Sequence, residues 1–513
     1  MGTAAGSGKR TRRRGVLATM TSDPFQHGVA SGDPLPDRVI IWTRLTTDAP
    51  SARLHWVVAR DPELRHVVAV GEATARAQHD HTVHVDVTGL EPGTEYHYCF
   101  LAGAASSPVG STRTLPGHDA ERLRFAMCSC AKFNAGHFNA YARIAERDDL
   151  DFVLHLGDYI YEASQTPPAS QTPSPDIGRP FEPRTECRTL AEYRTRYAQY
   201  RRDPDVQALH RRLPLIATLD DHELADGAWA GGATEHRDAE HGPWAARRDA
   251  ALRARWEWLP ARRPDPSDPT RVFRSVQAGA LAELLLLDVR SRRDEPVAGP
   301  AMADPARSML GAEQRAWREQ RLERTHAGWR IVVSPSIMSP TWVPDPDEPL
   351  RTALLKLKLV HPEGIAPDED QWDGYPAERA SLLDRFAAHD DVVVLSGDIH
   401  VSVAGELRHR GDVVAVELTT PSLTSQNLDE KLGVALRDPA IDAAEEALAD
   451  GLGLEWCELA SHGYVVVDVD PARVRGEWWH VAGVLERTAD EQCAAAYEVP
   501  RGVAAFRVPA GVR

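Results

Sequence analysis

The chain has 513 residues, too many for one compact core, so two domains or a large enzyme domain with an appendage is expected. Hydrophobic residues at 42% and charged residues at 26% describe an ordinary globular protein, and a net charge of -17 excludes nucleic acid or an anionic membrane as a bulk partner. Cys99, Cys128, Cys130, Cys187, Cys457 and Cys493 are too sparse for a disulfide framework, and no apolar run is long enough to span a bilayer.

The first 24 residues read as a basic, disordered leader. Lys9-Arg-Thr-Arg-Arg-Arg14-Gly-Val-Leu-Ala18 is similar to the twin-arginine part of an export signal, but Thr21-Ser-Asp-Pro24 interrupts it before a hydrophobic region forms. A cytoplasmic protein is the expectation, with twin-arginine export the alternative if the leader is a decayed or misassigned signal; Met20 is a second candidate start.

Residues 25–118 read as a small β-sandwich. Arg38–Leu45, Ala52–Val58, Thr82–Val87 and Thr94–Phe100 alternate as strands between turn residues. Leu90-Glu-Pro-Gly-Thr-Glu-Tyr96 resembles the corner of fibronectin type III-like domains. Ahead of it, Phe25-Gln-His-Gly-Val-Ala-Ser-Gly-Asp-Pro34 reads as an ordered leader packed on the next domain, with Gly28, Gly32 and Pro34 allowing a tight path.

After a linker at Arg113–Arg122 the pattern changes to strands alternating with helices, an α/β domain expected over 119–490 with a C-terminal extension at 491–513. Leu123–Cys128, Asp151–Leu156, Leu213–Leu219, Leu284–Asp288, Arg330–Ser334 and Val392–Gly397 read as buried strands. Tyr193, Tyr197 and Tyr200 form a helical stripe suited to core packing; Met309–Leu322 and Ala440–Ala449 read as helices, and Gly463–Val469 with Arg475–Val481 as paired strands.

Three of the strands end in carboxylates. One stops on Gly157-Asp158 with Tyr161 three residues on, one on Asp220-Asp221-His222-Glu223, and one on Asp398-Ile399-His400; the strand before them ends at Cys130. In open α/β sheets the carboxyl ends of strands face the crevice where sites are built. Clustered carboxylates are costly to desolvate unless a cation or strong hydrogen bonds compensate them, so a metal centre is the simplest reading. A thiolate at Cys130 would suit a redox-active or borderline-soft ion.

Phe25-x-His-Gly-Val-Ala-Ser-Gly-Asp-Pro34, Trp42-Thr-Arg-Leu45, Ser129-Cys130, His155-Leu-Gly-Asp-Tyr-Ile-Tyr-Glu162, Asp220-Asp-His-Glu223, Leu287-Asp-Val-Arg290, Gln371-Trp-Asp-Gly-Tyr-Pro-Ala-Glu-Arg379 and Leu395-Ser-Gly-Asp-Ile-His400 together resemble the alkaline phosphatase D family. That family belongs to the calcineurin-like metallophosphoesterases, with a centre similar to that of purple acid phosphatases. The resemblance implies an α/β sandwich carrying a fibronectin type III-like N-terminal domain. It implies Fe3+ held by Cys130, Asp158, Tyr161 and His400, and a divalent site, Ca2+ with Mn2+ or Zn2+ as alternatives, completed by Asp158, Asp220, Asp221 and Asp398.

The implied activity is hydrolysis of phosphate monoesters or diesters, on small-molecule or polymeric substrates, by a metal-activated hydroxide attacking in line with the leaving group. His222 and Asp221 are the residues expected to act at the reacting phosphate: His222 binds it or protonates the leaving oxygen, or else merely holds Asp220 or Asp221 in place. Arg290 and Arg379 are substrate-binding candidates against the plainer role of pairing with acidic loops, and Trp372 and Tyr375 are expected in the pocket wall. Two features depart from the family pattern. Asp226-Gly227 replaces asparagines and would strengthen, move or remove a calcium contact, and the superfamily's further histidine has four counterparts in His236, His241, His326 and His361. The rival reading is a non-catalytic binding protein with a structural metal, using the sandwich for partner recognition.

Overall fold

The computed structural model describes residues 23–167, 173–341 and 368–509, so the Lys9–Ala18 motif and His361 lie outside the described residues. Two large sheets pack face to face. The first runs, in spatial order, Glu491–Pro500, Arg473–Val481, Gly463–Val469, Leu123–Cys128, Phe152–His155, Leu215–Ala217, Val29–Leu35, Arg38–Arg44 and Thr82–Thr88. The second runs Arg274–Ala278, Ala282–Leu286, Trp329–Val333, Val392–Ser396, Asp412–Thr419, Ser402–His409 and Leu454–Glu458.

At the centre of each sheet the strands are parallel. Parallel strands are covered on both faces, which is why Leu123–Cys128, Phe152–His155 and Val392–Ser396 are continuously buried rather than alternating. Phe125, Met127 and Leu154 from one sheet interlock with Leu284, Val333 and Leu395 from the other. Helices Asn139–Glu146, Leu190–Arg202, Pro204–Arg212 and Trp244–Trp258 cover the outer face of the first sheet, burying Tyr193, Tyr197 and Tyr200 there. Helices Gly311–Arg324 and Pro376–Phe386 cover the second. The expected α/β sandwich is thus four layers deep.

The N-terminal sandwich is not a separate bead. Its five-stranded sheet, Ser51–Ala59, Val67–Arg76, Glu95–Ala102, Ala105–Ser106 and Gly110–Arg113, closes on a core of Leu54, Val58, Tyr96 and Phe100. The opposing strands Val29–Leu35, Arg38–Arg44 and Thr82–Thr88 belong to the nine-stranded sheet of the α/β layer, and Gly32 pairs in parallel with Leu215. A side chain at Gly32 would collide with the carbonyl oxygens of Pro260 and Leu215, so the stretch read as a packed leader is a strand that only glycine can seat. The corner is as expected: the Tyr96 hydroxyl accepts the Glu91 N–H at 2.9 Å.

Residues 491–513, expected as an extension, begin with a strand. Glu491–Pro500 pairs along its length with Arg473–Val481 and buries Ala495, Ala496 and Val499. A chain ending at residue 490 should therefore unfold at a lower urea concentration than the full chain, because the fully buried Trp478 side chain loses part of its cover. Equal urea midpoints would show that this strand contributes nothing to the sheet.

Candidate functional site

The parallel strands of both sheets point their carboxyl ends at one edge, where the bridges Ser129 to Ser422 and Leu219 to Asp288 knit the outgoing chains together. There the backbone turns sharply. Gly157 has φ +108°, and four non-glycine residues are left-handed: Cys130 (+62°), Asp158 (+55°), Asp398 (+70°) and His400 (+64°). Each such residue costs about 1–3 kcal/mol, a strain that persists only where surrounding contacts fix it and that concentrates at functional sites. Here hydrogen bonds fix it: Cys130 N–H reaches Gly157 O at 3.3 Å and Ala131 N–H reaches Asp158 O at 2.9 Å.

Glu223 does the same for the next turn. Its Oε2 accepts the N–H groups of Asp158 (2.9 Å) and Asp220 (3.0 Å), and its Oε1 that of Tyr159 (2.7 Å). The result is a dense group of donors. Cys130, Asp158 and His400 form one set able to hold an ion; Asp158, Asp221 and His222 a second; Asp158, Asp220, Asp221 and Asp398 a third, the donor atoms of each set lying within 4.8 Å of one another. Tyr161 packs with Cys130, and its hydroxyl accepts from Ser425 at 2.6 Å. His400 has Nδ1 2.9 Å from the Gln426 carbonyl oxygen, leaving Nε2 for an ion.

The electrostatics fit a cation. Burial, reinforced by neighbouring carboxylates, pushes the Cys130 thiol and the Tyr161 phenol well above their ordinary pKa values; burial likewise raises Asp158 and Asp220 well up despite the pull of His222 and Arg290 respectively. Burial and then the charge of Lys431 keep the His400 imidazole neutral. Asp158 Oδ2 and Asp221 Oδ1 are buried without a hydrogen-bond partner. Orphaned carboxylate oxygens inside a ring of anionic donors are what an ion would satisfy.

His222 does not hold Asp220 or Asp221 through its ring. Its main-chain N–H donates to Asp158 Oδ1 at 3.2 Å, its Nδ1 lies 2.8 Å from Glu162 Oε2, and its Nε2 faces a cleft of about 890 Å³. Burial lowers the imidazole pKa, but Glu162, Asp158 and Asp221 outweigh it and hold His222 well above the usual range. Asp226 stands beside it in the cleft, 3.8 Å from Nε2; burial, then the repulsion of Asp221 and Glu162 against the pull of His222, raises its carboxyl to about 6.

The arginines are placed differently from the substrate-binding expectation. Arg290 is fully buried, does not line the cleft, and bonds Asp220, Asp370 (2.5 Å) and Asp398 (2.5 Å). Arg379 donates to the Met338 carbonyl at 2.8 Å. Trp372 and Tyr375 are core residues bonded to Ser334 and to the Asp294 carbonyl, not a pocket wall. From the same motif it is Gln371 that reaches the site, donating to Asp398 Oδ2 at 2.6 Å. Among the described histidines, His241 lines the cleft, His236 bonds Asp238 and the Gly242 carbonyl, and His326 is exposed; none joins a ligand set.

A family model described as PhoD-like phosphatase matches residues 125–478, and one described as its N-terminal domain matches residues 10–116. The chain belongs to the PhoD-like phosphatase family. As a member it is a hydrolase of phosphate esters. The phosphatase is 33% identical to alkaline phosphatase D of Bacillus subtilis (strain 168) over 431 residues, covering 79% of this chain and 70% of that protein. A solved structure of PhoD superposes with a TM-score of 0.83 at 29% identity, covering 97% of this chain and 94% of the other.

Gly157 leaves the phosphatase no room for a side chain at this turn. A Cβ there would lie 2.5 Å from the Asp220 backbone nitrogen at a φ side chains avoid. Gly157→Ala should lower the urea midpoint and abolish most phosphatase activity by displacing Asp158; wild-type values for both would contradict this placement.

Proposed function

We propose that the phosphatase is metal-dependent, with Fe3+ held by Cys130, Asp158, Tyr161 and His400, and Ca2+ held by Asp158, Asp220, Asp221 and Asp398. The observation that carries the proposal is that Asp158 belongs to all three donor sets while one of its oxygens has no partner. A carboxylate so placed is suited to bridge two ions. When bound, the ions would supply Lewis-acid activation of water and of the phosphoryl oxygens. Thiolate, phenolate and carboxylate are anionic donors suited to a trivalent ion, and the all-carboxylate set suits Ca2+.

The chain's own groups divide the remaining work. His222, held as an imidazolium by Glu162, presents Nε2 to the cleft and gives a proton to the departing oxygen of the ester. Asp226 stands 3.8 Å from that same nitrogen in the cleft. Asp221 lies next to the reacting phosphate. Gln371 and Arg290 keep Asp398 and Asp220 fixed from behind. The substrate is a small phosphate ester, monoester or diester, admitted through the cleft beside Tyr161 and His222.

Purified protein assayed on p-nitrophenyl phosphate and bis(p-nitrophenyl) phosphate should lose at least about 100-fold in kcat on Asp158→Ala, the size expected when a positioned catalytic group is removed. Wild-type protein stripped by a chelator should lose activity and regain it with iron and calcium. Equal activity of wild type and Asp158→Ala would sink the proposal.

A further inference from the structure

The cleft over the candidate centre has one wall whose chemistry the hydrolytic reading does not use. Of the 59 basic residues in the chain only five are lysine, and the two lysines among the described residues, Lys132 and Lys431, both line this cleft. Lys132 is half-buried and follows Cys130 by two residues; its ammonium stands 5.8 Å from the centre of the Tyr161 ring. Lys431 is exposed to the cleft on the short helix Leu428–Leu432, which directly follows the loop carrying Ser425 and Gln426.

Neither ammonium forms a hydrogen bond or an ion pair with a described residue. Burial, and then the Lys431 charge, hold Lys132 below the usual lysine range. The groups that act against this lowering are Glu162, Asp226 and Asp158 for Lys132, and Asp398, Cys130 and Glu430 for Lys431. Asp158 and Asp398 are proposed ion ligands, and cations there would cancel part of that attraction. Two ammonium groups in one cleft lining, neither held in an ion pair with a described residue, can both donate to an anion that enters the cleft.

The position of the pair decides which anion. Asp158, Asp220, Asp221 and Asp398 form the floor and do not reach the cleft lining, whereas the two ammonium groups do. A phosphate held at the floor leaves its substituent in the cleft beside the lysines. Two arginines share the lining: Arg188 is already paired with Glu186 at 2.6 Å, and Arg237 stands in sequence between Glu235 and Glu240, which line the cleft with it. A lysine presents three rotatable donors on a flexible stem, which suits an anion carried at variable reach better than the fixed guanidinium fork does.

We propose that Lys132 and Lys431 form an anion subsite that binds the second phosphate of a bisphosphorylated small molecule while the first lies at the catalytic floor. The proposal rests on the metallophosphatase reading. Inhibition of p-nitrophenyl phosphate turnover by glucose 1-phosphate and by glucose 1,6-bisphosphate tests it through the ratio of the two inhibition constants. Wild type should bind the bisphosphate about tenfold or more tightly than the monophosphate, as two charge-assisted contacts allow. That ratio should fall to about threefold or less in the Lys132→Gln, Lys431→Gln double variant and stay above that value in the double arginine variant, which keeps both charges. A wild-type ratio near one, or a ratio the glutamine variant leaves unchanged, would overturn the subsite. Calorimetric titration of the same two sugar phosphates reads the same ratio without turnover. Absence of turnover would therefore count against the hydrolytic reading, while the binding ratio still decides the subsite.

Discussion

The carboxylate of Glu223 ties together the ends of two parallel strands. It takes the N–H groups of Asp158, Tyr159 and Asp220, so the turn after Phe152–His155 and the turn after Leu215–Ala217 are held at one distance by one side chain. Left without it, three buried N–H groups would each cost roughly 1–3 kcal/mol. The left-handed conformations of Cys130, Asp158, Asp398 and His400 are affordable only inside such a frame. The candidate centre is the place where strain, buried charge and orphaned oxygens coincide, and each makes sense if a cation is the missing partner.

Arg290 is the counterweight. Its guanidinium sits behind the floor against Asp220, Asp370 and Asp398, and Arg293 pairs with the other oxygen of Asp370 at 2.6 Å. Burial opposes the Arg290 charge, but the three carboxylates hold it well above even the ordinary arginine range. A fixed positive charge there lowers the repulsion among the floor carboxylates without occupying the cleft; under the proposed function, recognition of substrate falls to His222 and to the groups on the cleft wall.

The carboxylate and histidine residues proposed as ligands were legible because they cluster where apolar runs end. Asp158, Asp220, Asp221, Asp398 and His400 stand at strand ends, where chain direction alone brings them to one edge, and the family resemblance ordered them into two ion sites. The groups that position them were not legible. Glu162 and Glu223 sit inside recognised motifs but act through contacts made across 60 residues or more of chain, His222 to Glu162 and Asp158 to Glu223. Ser425 and Gln426 lie in a loop without distinctive composition. The sharing of one sheet by the sandwich and the α/β layer rests on Gly32 lying against Leu215, a pairing that no local pattern encodes. Val67–Arg76 carries no legible strand pattern because its inward face is the small residues Ala69, Gly71, Ala73 and Ala75, while Val68 and Val70 on this edge strand face solvent.

The central claim is that Tyr161 and Cys130 bind a trivalent iron beside Asp158. Metal analysis of the purified protein combined with its visible absorption spectrum tests this directly. The account predicts bound iron with a tyrosinate-to-iron charge-transfer band that disappears in Tyr161→Phe. A colourless protein without iron, or a band that survives Tyr161→Phe, would contradict it.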